Sequence, residues 1–344
     1  MSQRRSHYDV TNTVRISHPQ DVCEAVCEIL RARDPAGDLA PVRKAFEMFG
    51  WLYAGELPGF LGNDTWYHDA QHSLDCALAM ARLCDGHERS VPAEQQLGAR
   101  RLQLGVIAAL FHDAGYIRRR GDDARHGAEF TLTHVGRSGQ FLAEILPGLG
   151  FAAEAEMVRE IVHYTGYEVA LEQIRVADPR DRKLGFLLGT ADVIAQFSDR
   201  CYLEKCRDFL YAEFELCGLA GRARAGRPAP VYASADELLR KTPEFNRKIF
   251  AERLDGWFES AYRHLGAHFG GPDPYLRAVR AHLARLERAL SGRGLTGLRR
   301  RPRAVNAGRL RRILGLDNSL RFPGPYSPRA PRPAVSAPSP FAPT

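Results

Sequence analysis

No stretch of this 344-residue chain approaches the roughly 18 consecutive apolar residues that a membrane-crossing helix needs. Its opening residues, Met1 to His7, are not followed by the apolar core of a secretory signal, so a cytoplasmic protein is expected. The seven cysteines, Cys23, Cys27, Cys76, Cys84, Cys201, Cys206 and Cys217, form no CxxC pair. They are odd in number and mostly sit at helical spacing among apolar neighbours, which argues against a disulfide framework and a zinc-thiolate site. Strand-like alternation of apolar and polar residues is also missing, which leaves an all-α fold as the expectation.

Lysine is absent after Leu290, although the segment from Ser291 to Thr344 holds 11 arginines and the single acid Asp317. The formal charge of +7 therefore divides into +10 for this segment and −3 for residues 1 to 290, so the body of the protein is not basic. Nine of the 21 prolines fall between Pro302 and Pro343. Such a composition predicts a disordered Arg/Pro-rich tail over 291 to 344, dispensable for turnover, whose basic clusters could contact a polyanion. Residues 1 to 18 show no periodicity and are expected to form a flexible arm.

What is present between these ends is helical. Val22, Val26, Ile29 and Leu30, and then Val42, Ala45, Phe46 and Phe49, recur at three- and four-residue steps and mark two amphipathic helices. Four glycines and Pro58 interrupt the pattern over 50 to 63. A further helix is expected to start near Thr65 as N-cap, followed by helices over 98 to 114, 127 to 146, 153 to 165, 183 to 216, 235 to 269 and 274 to 290. The Gly-, Ala-, Arg- and Pro-rich residues 217 to 231 read as a surface loop, and residues 19 to 290 as one catalytic domain.

The chemistry is carried by histidines and aspartates embedded in these apolar runs, where an unpaired ionisable side chain costs several kcal/mol. His68 and His72 are four residues apart, so on one helix they would share a face. The apolar run Leu104 to Phe111 ends directly in His112 and Asp113, a neutral nitrogen donor beside an anionic oxygen donor able to bridge two cations. Asp192, within Gly189 to Ala195, is a third buried position that calls for a cation.

The order Tyr67-His68-x-x-x-His72, His112-Asp113 and Ala191-Asp192 resembles the HD-domain superfamily of metal-dependent phosphohydrolases, and its opening is similar to the class I cyclic nucleotide phosphodiesterases. The resemblance covers roughly residues 64 to 216 and implies an all-α fold around a divalent metal. It makes His72, His112, Asp113 and Asp192 the ligands of a first ion, with Asp113 bridging to a second. His68 matches the proton donor to the leaving oxygen, and Asp75 a residue that orients a ligand imidazole. By similarity to binuclear bacterial members, His134 and His163 would complete a six-ligand, two-metal pocket holding manganese, magnesium, zinc or iron.

The chain also departs from its relatives. Tyr116 stands where many of them carry a phosphate-holding histidine or lysine, so Arg118, Arg119 or Arg120 is expected to serve instead. No HD-x-x-E-D run is present, which counts against a guanosine tetraphosphate hydrolase, and His163 lacks the flanking motifs of the cyclic di-GMP enzymes. No glutamine follows Gln196, so purine selectivity does not carry over. The resemblance implies hydrolysis of a phosphate ester, foremost a cyclic nucleotide phosphodiester, by a metal-bridging hydroxide with His68 as general acid. The alternatives are an HD-fold di-iron oxygenase and a metal-binding regulatory module without turnover.

Overall fold

Three helices that are buried along most of their length form the centre of the protein, enclosed by the others. The computed structural model describes residues 4–223, 229–291 and 294–316. Helices α1 (Pro19–Arg33) and α2 (Ala40–Ala54) bury the stripes expected of them, Val22, Val26 and Leu30 on one and Val42, Ala45, Phe46 and Phe49 on the other, with Ile29 only partly covered. In α3 (Ala70–Ser90) every residue from Ala70 to Glu88 is buried. It packs against α4 (Ala99–Phe111) and against α7 (Pro179–Ser198), which also pack on each other. Between them in sequence lie α5 (His134–Ile145) and α6 (Ala155–Ile161).

The chain expected to be one helix over 183 to 216 breaks after Ser198. Asp199 is responsible: its Oδ1 accepts the Cys201 backbone N–H at 2.6 Å and its Oδ2 pairs with Lys205 at 2.8 Å, which starts a new helix in a new direction. That helix runs as α8 (Tyr202–Lys205), a π-helical stretch over Cys206–Leu210, and α9 (Tyr211–Cys217). The expected helix over 235 to 269 is likewise divided. α10 (Ala235–Lys248) continues into a π-helical stretch, Ile249–Trp257, and the chain then reverses where Glu259 and Ser260 take positive φ of 54° and 55°, before α11 (His264–Phe269). α12 (Pro274–Ser291) packs on α7, and α13 (Ala307–Leu314) on α2. Among the described residues there are no strands, only isolated bridges at Phe60–Arg119 and Ala220–Tyr232, and no helix is long and apolar enough to cross a membrane. The second bridge, with Leu219 and Ala220 buried, fastens part of the expected surface loop to the body.

Both expected loose ends are instead fastened down where the structure describes them. Residues 4–18 are not a free arm: Arg4 Nη1 donates to Ser198 O at 2.7 Å, Ile16 is buried, and the fully buried Asp9 accepts from Arg82 Nη2 at 2.6 Å. Periodicity missed this because polar pairs and turns, rather than an apolar stripe, hold the segment. Burial would raise the Asp9 pKa, but Arg82 and three hydrogen bonds from its neighbours override it and hold the carboxyl below its usual range. Asp9→Ala should cost about 3 kcal/mol, because it leaves a buried guanidinium without its counter-charge. Urea denaturation measures this, and a loss below about 1 kcal/mol would contradict the pairing. Since the folded pKa is depressed, the wild-type contribution should be complete above about pH 4 and fade as the pH falls through the folded value.

At the other end the disorder expected from residue 291 does not hold over 294–316. Leu295, Leu298, Val305 and Leu310 are buried, and Arg311 Nε donates to Ala54 O and pairs with Glu56, both at 2.8 Å. Four widely spaced apolar residues among arginines give no helical period, yet they suffice to fasten an extended strap. The rest of the expected tail, 317–344, lies outside the described residues.

Candidate metal centre and adjoining pocket

The turn before α3 presents the first two histidines, and not in the way their spacing suggests. The N-cap is Asp69 rather than Thr65: Asp69 Oδ1 accepts the His72 N–H at 3.0 Å, so His72 lies in the first helical turn and His68 lies outside the helix. Thr65 Oγ1 instead donates to His68 O at 2.6 Å, joined by Asn63 Nδ2 at 2.8 Å. The strap completes this turn. Val305 N donates to the second Asp69 oxygen at 2.7 Å, and Ala70 N donates to Val305 O at 3.3 Å. The strap is thus a structural support of the site rather than a dispensable appendage. Removing residues 294–344 should lower stability by several kcal/mol, at about 1.5–3 kcal/mol for each buried aliphatic lost, and reduce turnover with it. An unchanged melting temperature would refute this.

Three elements deliver the cluster: α3 brings His72, the end of α4 brings His112 and Asp113, and α7 brings Asp192. His72 Nε2 lies 3.2 Å from His112 Nε2, 3.4 Å from Asp113 Oδ2 and 3.2 Å from Asp192 Oδ1. His112 Nε2 lies 3.3 Å and 3.4 Å from the same two carboxylate oxygens. His112 Nδ1 is 2.8 Å from Ala109 O, which fixes the tautomer with Nε2 as the free donor nitrogen. Asp113 Oδ2 is buried and makes no hydrogen bond. Two imidazole nitrogens and two carboxylate oxygens converging around such an oxygen fit a divalent cation, and His72, His112 and Asp113 alone already form a buried group able to hold one. Burial would lower the His112 pKa, but Asp113 raises it well above the usual value. Both aspartates, despite burial, are held below the carboxylate range by the facing imidazoles.

The other oxygen of Asp113 faces a second side: Oδ1 is 3.7 Å from His134 Nε2. Gly115 permits this approach, because a Cβ there would lie 1.9 Å from His134 O. His134 Nδ1 is 2.9 Å from Thr131 O, and burial lowers the ring to a pKa of about 4, so it is a neutral donor at pH 7. His163 makes no hydrogen bond to these residues: its charged neighbours are Glu160 and Arg159, it does not line the pocket beside the cluster, and its buried Nδ1 has no hydrogen bond. Asp75 makes no hydrogen bond to His72 either; burial pushes its carboxyl up to about 7, and the two residues border a common void of about 10 Å³.

His68 is held separately. Its Nδ1 lies 2.6 Å from Oε2 of the fully buried Glu213, whose Oε1 accepts the backbone N–H groups of Trp66 and Tyr67, each at 2.6 Å. Burial alone would lower the His68 pKa, and the Glu213 charge reverses this and raises it. The Tyr116 ring stacks between His68 and His134, with centroids 4.3 Å and 4.2 Å away. Sequence reasoning passed over Glu213, which reads there as one more acid near the end of the expected helix over 183 to 216. It also missed a role for Gln196, which donates to Asp192 Oδ1 at 2.6 Å and accepts from Tyr67 Oη at 3.2 Å; its place one turn after Asp192 was the available signal.

Beside the cluster opens a pocket walled by aromatic and aliphatic side chains, among them Tyr167, Phe197, Tyr202, Phe214, Tyr232 and Phe245. Among the described residues no arginine or lysine lines it. Arg118, Arg119 and Arg120 therefore do not replace the missing phosphate contact: Arg118 pairs with Asp64 and Arg119 with Glu144, both at 2.9 Å, and none of the three reaches the pocket. No protein-family model matches this chain, and no curated protein matches it in sequence.

Proposed function

We propose that the protein is a metal-dependent phosphohydrolase acting on a phosphodiester of the cyclic-nucleotide type. The observation that carries this reading is the pairing of two separate devices. A cluster of two imidazoles and two carboxylates surrounds an unbonded buried oxygen, and a histidine at its edge, 6.4 Å from His72 and 6.0 Å from His134 between ring centroids, is bound to its own buried carboxylate.

His72, His112, Asp113 and Asp192 would hold one divalent cation, with Asp113 and His134 flanking a second. Bound there, divalent cations make a coordinated water acidic and offset charge on phosphate oxygens. The chain supplies the rest. Glu213 favours the protonated form of His68, and His68 Nε2, 3.5 Å from Tyr116 Oη, would protonate a departing alkoxide. The pocket walls provide ring faces for stacking. The polar groups there are already engaged, Gln196 by Asp192 and Tyr67, and Thr131, Thr165 and Thr242 by backbone carbonyls, so little is left to read a base edge. With no arginine or lysine among the described residues of the walls, a single monoanionic phosphate suits this pocket better than a polyphosphate.

The test is turnover by the full-length protein, loaded in turn with manganese, magnesium, zinc and iron. The panel is cyclic mononucleotides, cyclic dinucleotides, mononucleotides and bis(4-nitrophenyl) phosphate. Metal-dependent hydrolysis fastest on the diesters with one phosphate is the expected result. Metal-loaded protein that hydrolyses none of them refutes the reading, and oxygen consumption by a bound iron pair would favour the oxygenase alternative.

A further inference from the structure

Away from this pocket, and sharing no lining residue with it, a groove of about 380 Å³ separates the N-terminal segment from the strap. Its size lies within the range of about 300–1,000 Å³ usual for small-molecule sites. Arg301, Arg303 and Arg309 line it from the strap, with His7, His18 and Lys205 opposite, and among the described residues no aspartate or glutamate lines it. Lys205 is neutralised by Asp199 at 2.8 Å. The three arginines are not: among the described residues none of them has an ion pair, whereas Arg118, Arg119 and Arg311 elsewhere are each matched by a carboxylate. Arg309 Nη1 donates only to Arg303 O, at 3.3 Å.

Like-charged guanidiniums without a paired carboxylate repel one another, and the half-buried Arg309 also carries a desolvation cost; an anion would relieve both. Burial lowers the pKa of Arg309, Asp69 only partly offsets it, and Arg303 and Arg312 lower it further; that of His7 is lowered by burial, then by Arg5 and Arg309. These arginines do not sit on a loose chain. Val305, held by Asp69, and the buried Leu310 fix the backbone between and beyond them, so an anion meets guanidiniums already in place. A neighbouring cleft shares Arg303, Arg309 and Ile313 and adds Arg312 with the apolar surfaces of Trp66 and Phe209.

We propose that the groove between the N-terminal segment and the strap binds a small oligophosphate through Arg301, Arg303 and Arg309. Guanidinium forks match phosphate oxygens in pairs, and three of them along one groove suit several linked phosphates better than one. An inorganic chain and a nucleoside triphosphate share this chemistry, and the second would also place its base near Trp66. The assignment stands apart from the phosphohydrolase reading, since it uses none of that site's residues.

Titration calorimetry of the full-length protein with tripolyphosphate, ATP and orthophosphate tests it. The expected result is saturable binding of one tripolyphosphate or ATP per chain, much tighter than orthophosphate, with tighter binding of ATP identifying a nucleotide ligand. Arg301→Gln with Arg303→Gln should weaken it about tenfold or more, the scale of a lost charge-assisted contact. Both side chains are exposed, so the fold should survive; Arg301→Gln alone provides a second variant. Arg247→Gln with Lys248→Gln, an equal charge change on the exposed face of α10, should leave binding unchanged. Equal affinity in the Arg301/Arg303 variant, an equal loss in the α10 control, or binding only to polynucleotides with stoichiometry that grows with length would overturn the proposal.

Discussion

Asp113→Ala is expected to remove bound metal and, with it, hydrolysis, while the helical content stays near that of the parent. Asp113 turns one oxygen toward each side: Oδ2 toward His72 and His112, Oδ1 toward His134. Its loss leaves two imidazoles and one carboxylate on the first side and His134 alone on the second. Charge stabilisation by a bound cation is worth several kcal/mol, so turnover should fall by about 10³ or more. His112→Ala should behave alike, because its Nε2 lies within 3.4 Å of both carboxylates. Elemental analysis alongside circular dichroism measures metal and fold together. Metal content near that of the parent in either variant would remove both residues from the ligand set.

The second large effect belongs to His68. His68→Ala should keep its metal, because the ring is tied to Glu213 rather than to the cluster. It should nevertheless slow hydrolysis of an ester with an alkoxide leaving group by about 10² to 10⁴. An ester that releases nitrophenolate, which departs without a proton, should suffer far less. Equal losses on the two substrates would reject the proton-donor role, and loss of metal would make His68 a ligand. Glu213→Gln adds a pH signature. The Glu213 charge raises the His68 pKa, so without it the alkaline limb of the pH–rate profile, where the proton is lost, should move to lower pH.

The parts of the site that the sequence shows plainly are those where local pattern and chemistry coincide. His112 and Asp113 end an apolar run, Asp192 sits inside another, and each therefore had to face a partner in the interior. What the sequence conceals depends on contacts between distant segments. Glu213 meets His68 across 145 residues, and Val305 meets Asp69 across 236, with no periodicity to announce either. His68 was misplaced on the helix because Thr65 and Asp69 are both good N-cap types; only the Asp69 bond to the His72 N–H decides between them. Arg118 and Arg119 look free in sequence and are bound by Asp64 and Glu144 in the fold. Helix breaks at Asp199 and at Glu259–Ser260 likewise follow from side-chain capping and backbone reversal that apolar spacing does not register.

Anomalous diffraction from crystals of the zinc-loaded protein measures the cluster most directly. The expected result is a peak about 2.0–2.2 Å from His72 Nε2, His112 Nε2 and the nearer oxygens of Asp113 and Asp192. Zinc bound only elsewhere on the protein, with these four side chains still joined directly to one another, would contradict the assignment.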